Sequence, residues 1–132
     1  MPGSKLIYMH VKIDTKEKFH VITIQEPVLY ANMTEELIQS LEVLTQKDVK
    51  NMVLRCTEIN EIQLKPAEAI LTLQQKAYEN NQSFVICELK PEVEAFLEKE
   101  GILELMNVTP TESEAWDIVQ MEEIEREMFG EE

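Results

Sequence analysis

The stretch from residue 51 to residue 89 constrains the fold more than any other part of this chain. It holds two short apolar runs, residues 51–56 and 83–89, separated by a segment of helical periodicity at about residues 66–80. Apolar runs of this length are typical of buried strands, and two strands joined through a helix are parallel in one sheet. Such crossovers are almost always right-handed. The sequence therefore predicts a central right-handed βαβ unit.

Two segments of alternating character precede this unit. Residues 6–13 and 19–25 are rich in β-branched and aromatic side chains, and they predict an antiparallel hairpin with a loop of about five residues. His10 and His20 both fall in this hairpin without an evident third ligand, so we interpret them as half-exposed strand residues rather than a metal site. Residues 28–31 are consistent with a short extra strand.

The remaining elements are predicted from apolar stripes and helix-end signals. Residues 34–47 are predicted to form a helix with a stripe of apolar residues that faces the core. Another helix is predicted to begin at Pro91 and to end before Gly101 in a Schellman motif. The last helix runs from about residue 110 to residue 128. Gln74 interrupts the apolar face of the helix predicted at about residues 66–80, and we expect its side chain at the edge of that face. All helices are predicted to pack on one face of a mixed sheet.

Length and composition predict a single domain over residues 1–132, because a chain with 44% hydrophobic residues can bury a sizeable core. No apolar run reaches the roughly 18 residues of a membrane helix, and the first ten residues lack a signal-peptide core. We therefore expect a cytoplasmic protein without membrane insertion. Cys56 and Cys87 lie in apolar strands without a CxxC spacing, which indicates buried thiols rather than redox or metal-binding residues.

The net charge of −14 is concentrated at one end, since residues 112–132 hold nine acids and one base. Such a surface repels phosphate backbones and anionic lipids, so nucleic acid is not an expected partner. Two interpretations remain open. The acidic segment is either a solvated helix face that keeps the protein soluble, or a surface that meets a basic partner.

The sequence contains no constellation typical of catalysis. None of its serines stands in a G-x-S-x-G turn, and its three glycines form no phosphate-binding loop. It also lacks HExxH and any paired Cys/His ligand set. We therefore predict a protein that is not an enzyme and uses no cofactor or metal.

Several local sequences between residues 21 and 119 resemble the STAS domain, the fold of anti-sigma factor antagonists. The most specific is P-E-V-x-x-x-L-x-x-x-G-I-L-x-L, which begins at Pro91 and is followed by T-x-x-E-A ending at Ala115. Residues 52–54, 59–62, 69–77 and 81–87 match the family in the same order. The resemblance implies an α/β STAS-like fold and a non-catalytic role in bacterial regulation of transcription. It also implies a protein partner, such as an anti-sigma factor or a related regulator.

The family usually carries Asp, a phosphorylatable Ser and a nearby Gly in the loop before the middle helix. A phosphate there meets free amides at a helix N-terminus and adds about −2 charge to a docking surface. The matching positions are Gln63, Leu64, Lys65 and Pro66, and no Ser or Thr occurs from residue 58 to residue 71. The resemblance therefore implies a corner that lacks the phosphorylation switch.

Two surfaces are candidates for binding. The corner that the resemblance implies comprises Gln63, Leu64, Lys65, Pro66 and Glu68, although Leu64 fits equally well as a staple tucked beneath the helix. The second surface is made of last-helix residues that fit no narrow core stripe, namely Trp116, Ile124, Met128 and Phe129.

Two other classes of function remain open. One is a small-ligand or nucleotide-binding sensor on the same fold, although the acidic charge and the missing glycine loop argue against a nucleotide. The other is a self-assembling structural subunit, for example a homodimer formed through the last helix.

Overall fold

A computed structural model describes residues 9–129. The predicted strand at residues 6–13 therefore lies partly outside the described residues. The strands are β1 (Val11–Thr15), β2 (Phe19–Ile24), β3 (Val28–Leu29), β4 (Asn51–Arg55), β5 (Glu61–Ile62), β6 (Phe84–Cys87) and β7 (Val108–Thr109). The helices are α1 (Thr34–Glu42), α2 (Leu64–Glu79), α3 (Pro91–Lys99) and α4 (Glu112–Phe129).

Five strands form a mixed sheet in the order β1-β2-β4-β6-β7. The pair β1 and β2 is antiparallel, which confirms the predicted hairpin, and every other neighbouring pair is parallel. Met52 pairs with Phe84 and Leu54 with Ile86, so β4, α2 and β6 form the predicted βαβ unit. The α/β fold and the mixed sheet are therefore confirmed.

The short strand predicted after Pro27 is present, but it belongs to a separate two-stranded sheet. β3 pairs in parallel with β5, with Val28 opposite Glu61 and Leu29 opposite Ile62. The carbonyl of Pro27 also accepts a hydrogen bond from the backbone N–H of Asn60 at 2.7 Å. This pairing fixes the segment that leads into α2 against the segment that leads into α1.

The larger core lies between the sheet and the helices α1, α2 and α3. Leu37 and Leu41 of α1, Ile70 of α2 and Leu97 of α3 are all buried there. The sheet contributes alternate residues of its central strands, which are Met52, Leu54, Phe84 and Ile86. Packing of these three helices on one face agrees with the sequence prediction.

The position of α4 corrects that prediction, because this helix packs on the opposite face of the sheet. Ala115 and Val119 are fully buried against Val53 and Val85. Successive side chains of a strand point to opposite faces, and the consecutive residues Met52, Val53 and Leu54 of β4 and Phe84–Cys87 of β6 are all buried and apolar. Continuous apolar strands of this kind need cover on both faces, and α4 supplies the second cover.

The end of α3 confirms the predicted Schellman motif. Gly101 has a φ of +74°, the left-handed conformation that glycine adopts without steric cost. The N–H of Ile102 donates to the carbonyl of Leu97 at 2.9 Å, and the N–H of Gly101 donates to Glu98 at 3.0 Å. The chain continues after it into a 3₁₀ turn at Leu103–Leu105.

Two helix details differ from the prediction. α1 ends at Glu42, and the rest of the predicted helix is a 3₁₀ turn at Val43–Gln46. Gln74 is buried rather than at the rim of α2, with only 3% of its surface exposed. Its amide is satisfied by backbone groups, and that pairing makes the burial of a polar side chain tolerable.

Candidate functional site

The corner at the start of α2 is held by hydrogen bonds to the β3 segment. Gln63 precedes the helix in an extended conformation, and its N–H donates to the carbonyl of Leu29 at 2.9 Å. Its side-chain oxygen accepts a hydrogen bond from the N–H of Ala31 at 2.6 Å. Gln63 therefore joins two chain segments instead of capping the helix with its side chain.

The exposed part of the corner is smaller than the sequence predicts. Leu64 is 40% exposed, and Lys65 and Glu68 are also exposed. Pro66 is buried, which corrects its placement in an exposed corner. It is the third residue of α2 rather than the first, and it is tolerated because the first four N–H groups of a helix have no intrahelical partner. Leu64 keeps an exposed surface instead of being tucked completely beneath the helix.

The structure adds Tyr30, which sequence reasoning missed. The pairing of Leu29 with Ile62 places Tyr30 beside Gln63, the residue that precedes Leu64, and Tyr30 is 50% exposed. Exposed aromatic side chains beside aliphatic ones are typical of the centres of protein interfaces. The sequence signal is an aromatic residue directly after a short strand, but the pairing that brings this residue beside Gln63 has no signature in the sequence.

An open groove of about 510 Å³ continues from Leu64 between the β5 segment and α3. Its floor is apolar, since it includes Ile62 and Val93, which are buried, and Phe96, which is partly buried. Its rim carries the exposed carboxylates of Glu61, Glu92 and Glu100. Such a groove suits an apolar side chain flanked by basic residues. We call the corner and this groove together the α2 corner.

The predicted last-helix surface is divided by the structure. Trp116 is partly buried, with its ring centroid 5.3 Å from that of Phe19 and its indole N–H donating to Glu112 at 3.1 Å. Ile124, Met128 and Phe129 are 55%, 66% and 74% exposed. Trp116 therefore contributes to internal packing and is not brought together with the other three.

A polar cluster that sequence reasoning did not identify holds the second half of α4 to the sheet. The hydroxyl of Ser83 donates to Glu122 Oε1 at 2.5 Å, and the hydroxyl of Tyr78 donates to the same oxygen at 2.9 Å. Arg126 Nη2 donates to Ser83 Oγ at 3.1 Å and to Asn51 Oδ1 at 3.2 Å. Burial, with the carboxylate of Glu122 as a further cause, raises the pKa of Tyr78 to about 12.

The two histidines do not meet. His10 is exposed, with Nδ1 3.0 Å from Glu26 Oε2, while His20 hydrogen bonds to Thr15 and to the carbonyl of Val49. His20 is buried rather than half-exposed as predicted, because α1 and its 3₁₀ turn lie on that face of β2. Within residues 9–129 no three His, Cys, Asp or Glu side chains are grouped as a metal site would require.

The cysteines are buried as predicted, on opposite faces of the sheet. Burial raises the pKa of the Cys56 thiol, and it raises the pKa of Cys87 to about 12. A thiol becomes a good nucleophile only as the thiolate, so both groups are poorly suited to nucleophilic chemistry. In the part of the chain that the structure describes, no helix combines the length and apolar character that crossing a membrane requires.

Comparison with known protein families gives a match. The family model described as the STAS domain matches residues 10–115. None of the curated proteins compared with the chain matches it.

Solved structures of anti-sigma factor antagonists share the fold. A putative anti-sigma factor antagonist from Thermotoga maritima superposes with a TM-score of 0.70 at 13% identity, covering 83% of this chain and 94% of that chain. RsbS from Moorella thermoacetica, in a substituted form, gives a TM-score of 0.67 at 20% identity over the same shares. The anti-sigma factor antagonist SpoIIAA in its unphosphorylated form gives 0.66 at 15% identity, covering 84% of this chain and 96% of that chain.

The sheet order, the βαβ unit around α2 and the family match over most of the sequence agree with one another. The chain belongs to the STAS domain family.

Proposed function

We propose that this chain is a non-catalytic regulatory STAS domain that binds a protein partner through the α2 corner, without phosphate control of that corner. The observation that carries the proposal is the exposed Leu64 beside a groove with an apolar floor and an acidic rim, with the exposed Tyr30 on the adjoining β3 segment. Similar proteins are named as anti-sigma factor antagonists, so an anti-sigma factor or a related regulator in the bacterial cytoplasm is the proposed partner.

The chemistry of the α2 corner indicates the kind of segment it would bind. Tyr30 directly follows the paired strand β3, and Leu64 is the first residue of α2, so both lie on ordered backbone, which limits the ordering entropy that binding costs. Glu61, Glu92 and Glu100 surround the groove with negative charge. A partner segment with one or two apolar side chains flanked by Lys or Arg would complement both properties.

The absence of phosphate control is supported by the residues at the start of α2. The helix begins at Leu64, and the sequence has no Ser or Thr between residues 58 and 71 to accept a phosphate there. An exposed Lys65 lies where a phosphate would otherwise add negative charge. We infer that binding at this corner is either constitutive or controlled elsewhere on the protein.

Leu64→Asp tests the proposal by placing a charge at the exposed apolar residue that lines the groove. The tagged wild-type chain and the variant are used to capture proteins from the host, and each captured protein is quantified by mass spectrometry. Val43→Asp is the matched control, because Val43 is 53% exposed on a different surface, the 3₁₀ turn after α1.

We expect at least one regulator to be captured by the wild type and by Val43→Asp but lost with Leu64→Asp. Thermal unfolding of the variants checks that both remain folded. Capture of the same proteins by all three chains would contradict binding at the α2 corner.

A further inference from the structure

We propose that the outward face of α4 is a second docking surface, and that its occupant is a basic amphipathic helix of another protein. The surface consists of Met121, Ile124 and Met128, which we call the α4 stripe. These side chains are 50%, 55% and 66% exposed. Their spacing of three and four residues places them on one side of the helix.

Among the described residues, 9–129, the α4 stripe belongs to neither core cluster. The inward face of α4 is already occupied, first by the buried Ala115 and Val119 and then by Glu122 and Arg126. These contacts fix the rotation of the helix about its axis. The stripe therefore faces away from the sheet as a consequence of the fold.

The charges on α4 specify the occupant. Arg126 is the only basic residue among Glu112–Phe129, and its Nη2 is engaged with Ser83 and Asn51 at the sheet. The exposed side chains around the stripe include the carboxylates of Asp117, Glu125 and Glu127. An apolar stripe whose exposed charged neighbours are carboxylates complements a helix whose own apolar stripe is bordered by Lys or Arg.

A second copy of this chain fits the α4 stripe poorly. Two copies packed stripe to stripe would bring the same carboxylates together, and like charges that face each other across an interface oppose association. The net charge of −14 adds a general repulsion. An anionic lipid surface is disfavoured by the same charges.

The α4 stripe is also distinct from the α2 corner. It lies on the helix that covers the opposite face of the sheet from α2 and α3. The family match ends at residue 115, before the first residue of the stripe. The inference therefore goes beyond the proposed function, and it does not depend on the α2 corner.

A designed peptide tests the surface with the full chain. The probe is a fluorescent helical peptide of about 18 residues, with leucines along one face and lysines beside them. A peptide of the same composition with the leucine stripe scrambled controls for charge alone. Binding is measured by fluorescence anisotropy to the wild type, to Ile124→Gln/Met128→Gln, and to Leu105→Gln, whose position is 58% exposed on another surface.

We expect the double variant to bind the striped peptide at least about tenfold more weakly than the wild type, while Leu105→Gln stays within about twofold. The wild type should bind the scrambled peptide as weakly as the double variant binds the striped one. Equal binding of both peptides, or no loss in the double variant, would overturn the proposal. A wild-type dimer in sedimentation equilibrium that Ile124→Gln/Met128→Gln dissociates would also overturn it, because the occupant would then be a second copy.

Discussion

Gln74 donates a side-chain hydrogen bond of 2.7 Å to the backbone carbonyl of Phe84. Its side-chain oxygen accepts another from the N–H of Asn107 at 3.0 Å, so one buried amide joins α2 to β6 and to the segment entering β7. Gln74→Leu would leave these backbone groups buried without partners. Each such group costs about 1–3 kcal/mol, so we expect a loss of about 2–4 kcal/mol in the free energy of unfolding.

Urea unfolding of Gln74→Leu measures this loss. Gln75→Leu is the control, since Gln75 is the exposed neighbour and its substitution should change stability by less than about 0.5 kcal/mol. Equal stabilities of the two variants would mean that the buried amide contributes nothing.

The raised pKa of Tyr78 predicts that the folded protein loses stability at alkaline pH. Its pKa is raised from 10.0 to about 12, chiefly by burial and then by the neighbouring Glu122, so the folded state keeps the phenol proton where the unfolded chain loses it. The resulting stabilisation is complete below pH 10 and declines as the pH rises toward 12. Tyr78→Phe should therefore lose stability less steeply than the wild type across this interval.

Urea unfolding at several pH values between 9 and 12 measures the two slopes. The raised pKa values of Cys56 and Cys87 also lower the stability above pH 9, and they do so equally in the wild type and in Tyr78→Phe. The difference between the two slopes therefore reports the contribution of Tyr78. Tyr30→Phe is the matched control, because it removes an exposed hydroxyl instead of a partly buried one. Identical slopes for Tyr78→Phe and the wild type would contradict the assigned role of Tyr78.

The two thiols should be protected from alkylation in the folded protein. Cys56 is 3% exposed and Cys87 is fully buried, and burial disfavours the reactive thiolate of both. We expect native alkylation by iodoacetamide to be at least about a hundredfold slower than in urea, because reaction requires opening of the core. Mass spectrometry counts the modified residues over time.

A cysteine introduced at the exposed position Ser113 provides the control, since it should react in the native state. Rapid native modification of Cys56 or Cys87 would show that the sheet opens far more easily than its packing implies.

The elements that the sequence predicts best are those defined by local patterns. The apolar runs around Val53 and Val85 are short and bounded by polar residues, and they are the parallel strands of the central unit. Gly101 follows an apolar helix stripe, and it adopts the left-handed conformation expected there. These features depend on neighbouring residues, so the sequence contains the information needed to predict them.

The features that the sequence does not predict depend on contacts between distant segments. The apolar residues on both faces of β4 indicate two covered faces, but periodicity does not say that Ala115 and Val119 cover the second one. The placement of Tyr30 beside Gln63 depends on a two-residue pairing whose register has no local signature. Gln74 finds its partner 33 residues away at Asn107, so its burial was missed for the same reason.

Site-specific photo-crosslinking in the host tests most directly whether the α2 corner docks a protein. A photoreactive phenylalanine analogue replaces Leu64 in one chain and Val43 in another, both of which are exposed apolar positions. Binding at the corner predicts a crosslinked adduct with another protein from position 64 and none from position 43. No adduct from position 64, or the same adducts from both positions, would contradict it.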